Sequence, residues 1–283
     1  MKYVLLMVGI WASLAVEAQK KGELLLVGEH FSFTEGPAAD ADGNIFFTDQ
    51  PNNRIWTYTT KGELALFLEP AGRSNGLYFD NEGALIACAD EDNQLWRIST
   101  ETKKNTVLFR HFEGKLLNGP NDIWVSGSGI MYLTDPYYQR SYWQRGGSEL
   151  PNALYRYVRG RLEQVDQDFV RPNGIVGSPD GKLLYVADIG ADKTFVYDLS
   201  ETGILSNRRL FCARGSDGMT VDKYGNVYLT GQGVFVYNAS GELIHHLEIP
   251  ATWTANVCFG GKEREYLFIT ASDKVFKIYP TWW

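Results

Sequence analysis

The segment Asp42-Gly43-Asn44-Ile45-Phe46-Phe47 is the first copy of a unit that recurs along the chain. Each copy has a Gly-containing turn, a short apolar strand that ends in small or acidic residues, a loop, and an aromatic-rich strand. The other copies begin at Glu82-Gly83-Ala84-Leu85-Ile86, Ser128-Gly129-Ile130-Met131-Tyr132-Leu133, Asp180-Gly181-Lys182-Leu183-Leu184-Tyr185, Tyr224-Gly225-Asn226-Val227-Tyr228-Leu229 and Glu263-Arg264-Glu265-Tyr266-Leu267-Phe268. Counted between positions 43, 83, 129, 181, 225 and 264, the intervals are 40, 46, 52, 44 and 39 residues. A period of about 40–50 residues with four strands per unit indicates the blades of a β-propeller.

The two ends of the repeat array indicate how the ring of blades closes. The sixth copy stops after its third strand, Lys274–Tyr279, and the apolar segment Glu23–Val27 belongs to no copy. An N-terminal strand that completes the last blade would remove the exposed edge of an open ring. We therefore predict an all-β protein, a six-bladed β-propeller closed by its N-terminal strand, as a single domain over residues 19–283.

The composition limits the classes of partner. The 283 residues include 27 Lys and Arg against 34 Asp and Glu, a net charge of −7. An acidic chain without a basic run argues against nucleic acid or an anionic membrane surface as a partner. Cys88, Cys212 and Cys258 are widely spaced and lie in apolar segments. This pattern predicts buried free thiols rather than a disulfide framework or a zinc site.

The first eighteen residues have the pattern of a secretory signal. Lys2 gives a positive start, the run from Val4 to Ala15 is apolar and uncharged, and Val16-Glu17-Ala18 ends in small residues. The run is too short to span a bilayer, which takes about 20 apolar residues. We predict a signal peptide over residues 1–18 that is cleaved, and a periplasmic or secreted protein with no membrane attachment after cleavage.

A polar position recurs eight residues before each reference glycine or its equivalent. The six residues are Glu35, Asn75, Asn121, Asn173, Asp217 and Asn256. Each directly precedes an apolar run that is predicted to be the innermost strand of its blade, so the six side chains would face one central channel. Asn-Gly and Asp-Gly are common turn dipeptides, and any one of these positions alone would be interpreted as a turn. The constant spacing, with only Glu, Asp and Asn present, favours a functional ring.

The ring has the chemistry of a metal site. Its ligands are hard oxygens without His or Cys, a set that suits Ca²⁺, Mg²⁺ or Mn²⁺ better than Zn²⁺. Two carboxylates, Glu35 and Asp217, would balance a divalent charge, while neutral amide oxygens would complete the coordination. We predict a divalent cation, with Ca²⁺ as the first choice and Mg²⁺, Mn²⁺ and Zn²⁺ as alternatives.

An insertion in the third blade, from Pro136 to Asn152, is rich in Tyr, Trp and Arg. It joins the second and third strands of its blade, so it should emerge on the face that bears the ring. Long loops on such a face commonly shape a pocket, although packing between blades is the alternative. Residues expected to contact a substrate are Asn121, Asn75, Asn256, Asp135 and Tyr137.

Five segments of the chain resemble the gluconolactonase / senescence-marker-protein / regucalcin family. They are Thr34-Glu35-Gly36-Pro37, Asn118-Gly119-Pro120-Asn121-Asp122, Arg171-Pro172-Asn173-Gly174-Ile175, Ser216-Asp217-Gly218-Met219 and Asn256-Val257-Cys258-Phe259-Gly260-Gly261. The resemblance implies a six-bladed propeller with a divalent metal on its axis and hydrolysis of sugar lactones.

By the same resemblance, the metal ligands fall on Glu35, Asn173 and Asp217. Asn121 is implied to contact the substrate and to approach the metal, and Asp217 is implied to be catalytic. Gly119 stands where regucalcin-type members place Arg, so the segment is more similar to the bacterial gluconolactonase branch. Two alternatives stay open at this point: a phosphotriester hydrolase of the diisopropylfluorophosphatase kind, and a non-catalytic, calcium-stabilised propeller that binds a sugar or a partner.

Overall fold

The computed structural model describes residues 21–282, and it contains strands, turns and two short 3-10 helices but no α-helix in that range. The predicted signal peptide, residues 1–18, lies outside the described residues. Within them, no helix has the length and apolar character needed to cross a membrane. The strands are short runs of β-branched and aromatic residues between glycine-containing turns, as their propensities favour.

Six four-stranded antiparallel sheets form the blades. The chain enters through β1 (Leu25–Glu29). Blade 1 contains β2 (Thr34–Ala39), β3 (Ile45–Asp49), β4 (Arg54–Tyr58) and β5 (Leu64–Leu68), and blade 2 contains β6 (Ser74–Phe79), β7 (Leu85–Ala89), β8 (Gln94–Ile98) and β9 (Asn105–Phe109). A small hairpin, β10 (His111–Phe112) and β11 (Lys115–Leu116), precedes blade 3, which contains β12 (Ile123–Val125), β13 (Met131–Asp135), β14 (Ala153–Val158) and β15 (Arg161–Asp166).

The second half of the ring repeats the same order. Blade 4 contains β16 (Pro172–Gly177), β17 (Leu183–Asp188), β18 (Lys193–Leu199) and β19 (Leu205–Cys212), and blade 5 contains β20 (Met219–Val221), β21 (Val227–Gly231), β22 (Gly233–Tyr237) and β23 (Leu243–Leu247). Blade 6 contains β24 (Asn256–Gly260), β25 (Tyr266–Ala271) and β26 (Lys274–Ile278). The 3-10 helices are Gln50–Asn52 and Asp90–Asp92, at the same place in blades 1 and 2.

The ring closes through the N-terminal strand, as the repeat pattern predicted. Strand β1 pairs antiparallel with β26, and the sheet order in blade 6 is β1-β26-β25-β24. The pairing strand begins at Leu25, two residues later than the predicted segment. The prediction of an all-β, six-bladed propeller closed in this way is confirmed.

The hydrophobic core lies between neighbouring blades. Phe46 of blade 1 packs in one cluster with Leu77 and Leu85 of blade 2, and Phe47 packs with Phe268 across the closure. Each blade therefore buries both faces, which explains why the strands are apolar on successive residues rather than on alternate ones. The three cysteines are buried free thiols, as their apolar segments predicted.

Candidate active site

The six predicted ring residues lie at or just before the start of the first strand of each blade. Each first strand contacts the first strands of both neighbouring blades, so these positions surround one axis. Five of the side chains are buried and Asp217 is partly exposed. The spacing of eight residues in the sequence therefore corresponds to one level of the central channel.

Two cavities lie on the axis, one on each side of this level. Glu35, Asn75, Asn121, Asn173 and Asp217 line a cavity of about 510 Å³. The sixth ring residue, Asn256, instead lines a cavity of about 960 Å³ formed by the later parts of the first strands. The smaller cavity is the candidate site, because it gathers the two ring carboxylates and three ring amides.

Glycine follows four of the ring residues because neighbouring first strands approach each other closely. A Cβ on Gly76 would lie 2.6 Å from the backbone oxygen of Asn121, and one on Gly218 would lie 1.9 Å from the Asn256 side chain. Gly36 is the one of these four glycines with a positive φ, 46°. The Asn-Gly and Asp-Gly pairs here are therefore not hairpin turns. Bulges in β2, β6 and β16 at the same level bend these first strands locally.

Asp217 is the centre of a hydrogen-bonded group in the cavity. Asn173 Nδ2 donates to Asp217 Oδ1 at 2.8 Å, and Trp253 Nε1 donates to Asp217 Oδ2 at 2.6 Å. Asn173 Nδ2 also lies 3.2 Å from the hydroxyl of Tyr138. Glu35 Oε2 accepts from the Gly36 amide at 2.8 Å and from Asn256 Nδ2 at 3.2 Å. Asn256 thus supports Glu35 from behind instead of facing the cavity.

Burial and mutual repulsion alter both carboxylates. Burial raises the pKa of Glu35 well above its usual range, and the charge of Asp217 raises it further. Burial raises the pKa of Asp217 to about 6, although the hydrogen bonds from Trp253 and Asn173 act in the opposite direction. Two carboxylates in one buried cavity are costly in their charged forms, and their hydrogen bonds and Arg140 offset only part of that cost.

The donor set fits a hard divalent cation. The side-chain amides of Asn75 and Asn121 have no hydrogen-bond partner among residues 21–282, although both residues are buried at the cavity wall. Amide oxygens at the cavity wall and two carboxylates are ligands that Ca²⁺ and similar ions accept. The described residues form no cluster of three or more His, Cys, Asp or Glu, so a cation here depends on amide oxygens. Asn173 would have to present Oδ1 in place of Nδ2.

The insertion of blade 3 covers this end of the axis, as its position predicted. Tyr138 and Arg140 line the cavity. The loop is fastened by Asp90 of blade 2, whose carboxylate accepts from Arg140 Nε at 2.9 Å and from the hydroxyl of Tyr142, while Trp143 Nε1 donates to the Asp90 backbone oxygen at 2.8 Å. The insertion is therefore both a packing element and part of the cavity wall.

The structure places Asp135 and Tyr137 away from the cavity. Asp135 is fully buried, and its carboxylate accepts from the amides of Asn118 and Gly119 at 2.8 Å each. Asp49 and Asp188 hold the loops before their first strands in the same way. Tyr137 is half-buried and does not line the cavity, and its ring centre lies 6.0 Å from that of Trp143. Neither residue therefore lines the cavity, and Asp135 fixes the backbone that leads to Asn121.

Several cavity residues were missed by sequence reasoning. They are Phe33, Gln50, Tyr138, Arg140, Arg171 and Trp253. Threonines of the second strands fix the backbone of the ring residues: Thr48 Oγ1 donates to the backbone oxygen of Asn75 at 3.1 Å, and Thr134 Oγ1 donates to that of Asn173 at 2.7 Å. The recurrent Thr-Asp at positions 48–49 and 134–135 was the available signal, since it places one polar pair at the end of an otherwise apolar strand.

The fold and the site together define a six-bladed β-propeller with an oxygen-lined cavity on its axis. Residues 33–273 match the family described as SMP-30/Gluconolactonase/LRE-like region, and the chain belongs to that family. A gluconolactonase of Zymomonas mobilis is 28% identical over 89% of this chain and 80% of its own length. A crystallised gluconolactonase of Xanthomonas campestris is 25% identical, with a TM-score of 0.84 over 90% of this chain and 88% of its own. A regucalcin structure from Agrobacterium tumefaciens shares the fold, with a TM-score of 0.75 at 18% identity over 92% of this chain and 97% of its own.

Proposed function

We propose that the protein is a metal-dependent hydrolase of sugar lactones. The observation that carries the proposal is the convergence of Glu35, Asn121, Asn173 and Asp217, from four different blades, on one cavity. Membership of the family and similarity to two gluconolactonases support lactones as the substrate class. A cavity of about 510 Å³ is of the size that holds small-molecule ligands.

Glu35, Asn173 and Asp217 would hold the metal, with Asn121 beside them. A divalent cation bound there would polarise the lactone carbonyl as a Lewis acid. Ca²⁺ is the first choice because the donors are all oxygen. Burial raises the pKa of both carboxylates, and a divalent cation bound between them would compensate their charges.

Asp217 would serve as the general base and then as the general acid. Its carboxylate takes a proton from the attacking water, the water oxygen bonds to the carbonyl carbon, and the ring C–O bond breaks. The same proton then passes to the leaving alkoxide, which leaves a hydroxy acid and a regenerated carboxylate. Trp253 and Asn173 fix the orientation of Asp217, while Asn121 and Asn75 offer free amides to the hydroxyls of the sugar.

Replacing Asp217 with Asn tests this role. The amide keeps the volume of the carboxylate but accepts no proton, and general acid–base groups contribute ~10²–10⁴-fold in rate. We expect kcat on D-glucono-1,5-lactone at saturating Ca²⁺ to fall by about 10²-fold or more, and chelation to remove the activity of the wild type. Asp42→Asn, on an exposed turn of blade 1, is the matched control and should keep wild-type kcat.

The same assay distinguishes the alternatives. A kcat for Asp217→Asn within about threefold of wild type removes Asp217 from the mechanism, since that ratio is under about 1 kcal/mol of barrier. Hydrolysis of a fluorophosphate triester but not of lactones would identify the phosphotriesterase alternative, which uses the same four ring residues. Ca²⁺ binding without hydrolysis of either class would identify a non-catalytic binding propeller.

A further inference from the structure

Arg171 places an uncompensated positive charge at the wall of the active-site cavity. It directly precedes β16, and its backbone amide is fixed by Asp188 Oδ1 at 2.7 Å. The side chain is exposed, and its Cζ lies 4.9 Å from the ring centre of Tyr138. Within residues 21–282 the guanidinium has this ring contact but no carboxylate partner and no hydrogen bond.

A second guanidinium lies against the same ring. Arg140 Cζ is 5.4 Å from the centre of Tyr138, and Arg140 also lines the cavity. Its Nε donates to Asp90 at 2.9 Å, which holds the group in place, and among residues 21–282 its outer nitrogens have no hydrogen-bond partner. Tyr138 thus has two guanidiniums around its ring and the amide of Asn173 at its hydroxyl.

The charges of the cavity do not balance once a divalent cation is present. Glu35 and Asp217 are the carboxylates among the cavity's lining residues, and both are needed to neutralise the cation. The carboxylate of Asp90 compensates the charge of Arg140. The charge of Arg171 remains, so the loaded cavity would attract an anion.

Resting on the proposed lactonase function, we propose that the substrate is a sugar lactone that carries an anionic group away from the lactone carbonyl, and that Arg171, with Arg140, binds this group. A phosphate, sulfonate or carboxylate has the oxygen geometry that a guanidinium binds with two parallel hydrogen bonds. Arg171 then determines which lactone is bound, while Asp217 and the other polar residues on the axis carry out the chemical step.

The test compares neutral and anionic lactones. We expect the wild type to have a kcat/KM at least tenfold higher for 6-phospho-D-glucono-1,5-lactone, or for the carboxylate-bearing D-glucaro-1,4-lactone, than for D-glucono-1,5-lactone. Which anionic lactone is preferred identifies the anion. Arg171→Gln should reduce this preference at least tenfold, mainly through KM, and Arg171→Lys should retain part of it. Arg161→Gln removes the same charge from an exposed position on β15 and should leave the preference unchanged.

The proposal is overturned if the wild type prefers the neutral lactone, or if Arg171→Gln lowers kcat/KM for all lactones equally. A binding measurement tests the anion site independently of the lactonase activity. By calorimetry with Ca²⁺ present, the hydroxy acid of the preferred anionic lactone, 6-phospho-D-gluconate or D-glucarate, should bind the wild type at least tenfold more tightly than it binds Arg171→Gln; if no lactone is hydrolysed, both acids are measured. If no lactone is hydrolysed but this difference is found, the lactonase proposal fails and the anion site stands. If the difference is not found, the anion site fails.

Discussion

At the scale of single residues, the charge state of the ring depends on what occupies the cavity. Glu35 and Asp217 repel each other and are surrounded by protein, so both hold protons more tightly than ordinary carboxyl groups. A cation competes with those protons for the same oxygens. Metal binding should therefore weaken as the pH falls through about 6, the pKa of Asp217, because the protonated form is neutral.

Replacing Glu35 with Gln should weaken this binding and reduce its dependence on pH. The change removes one ligand charge and one competing proton while the shape is kept. By calorimetry we expect Ca²⁺ to bind the wild type about tenfold more weakly at pH 5 than at pH 7.5. At pH 5, about one unit below the pKa of Asp217, about one-tenth of this carboxyl group is ionised. At pH 7.5, Glu35→Gln should bind at least about tenfold more weakly than wild type, which is about 1.4 kcal/mol.

Glu63→Gln is the control, because Glu63 is exposed in the same blade. Equal Ca²⁺ affinity in wild type and Glu35→Gln at pH 7.5 would mean that Glu35 is not a ligand.

At the scale of elements, the insertion shows where sequence reasoning stops. Its length and position in the repeat were sufficient to predict the face on which it lies. The choice between Tyr137 and Tyr138 was not predictable, because the loop has no periodicity and its orientation is set by Asp90, in a different blade. Ala89 stands where Asp49 and Asp135 bind backbone amides, and Asp90 is the equivalent of Gln50 in blade 1, so the repeat did not indicate that Asp90 would hold the insertion.

Asp90→Ala should release the insertion. Loss of the carboxylate leaves Arg140 and Tyr142 without their acceptor, so Tyr138 would no longer be held at the cavity. We expect KM for the preferred lactone to rise about tenfold, with a much smaller change in kcat, because no ring residue is altered. Asp92→Ala, in the same 3-10 helix but exposed, is the control. A fall in kcat with unchanged KM would contradict the role given to the insertion.

At the scale of the whole molecule, the repeat was the most informative feature of the sequence. Six equivalent residues at one spacing defined a level of the channel, because every blade begins its first strand at the axis. The same argument could not separate the two cavities, since Asn256 and Asn75 are equivalent in the repeat but line opposite sides. Asn256 differs because its side chain packs against Gly218 of blade 5 and donates to Glu35 of blade 1, and such contacts between blades are not visible in the repeat.

The closing strand offers a test of the ring as a unit. Val27 packs inward against the cluster of Phe47 and Phe268, whereas its neighbour Leu26 is 51% exposed. Val27→Asp would place a carboxylate at a half-buried apolar position of the closure, at a cost of about 2–3 kcal/mol. For a domain of this size we expect Tm to fall by about 4–10 °C. Leu26→Asp should change Tm by less than about 2 °C, and equal effects of the two substitutions would mean that β1 does not seal the ring.

Export is a separate prediction about the whole chain. The charged start, the apolar run and the small residues at Val16-Glu17-Ala18 predict that the mature protein begins near Gln19. The N-terminal mass of protein purified from its native host should correspond to loss of residues 1–18. Recovery of chains that retain Met1 to Ala18 would contradict this prediction.

The pairing of β1 with β26 also sets the order in which the fold can be completed. Strand β1 precedes the other strands of the propeller in the chain and its partner β26 follows them, so blade 6 cannot form until all six blades have been synthesised. A nascent chain would wait with its first strand unpaired, and a prematurely terminated one would keep that edge open to proteases and to other chains. Closure of the ring therefore comes after synthesis of β26, and a bulky group fused close to β1 or β26 would interfere with their pairing.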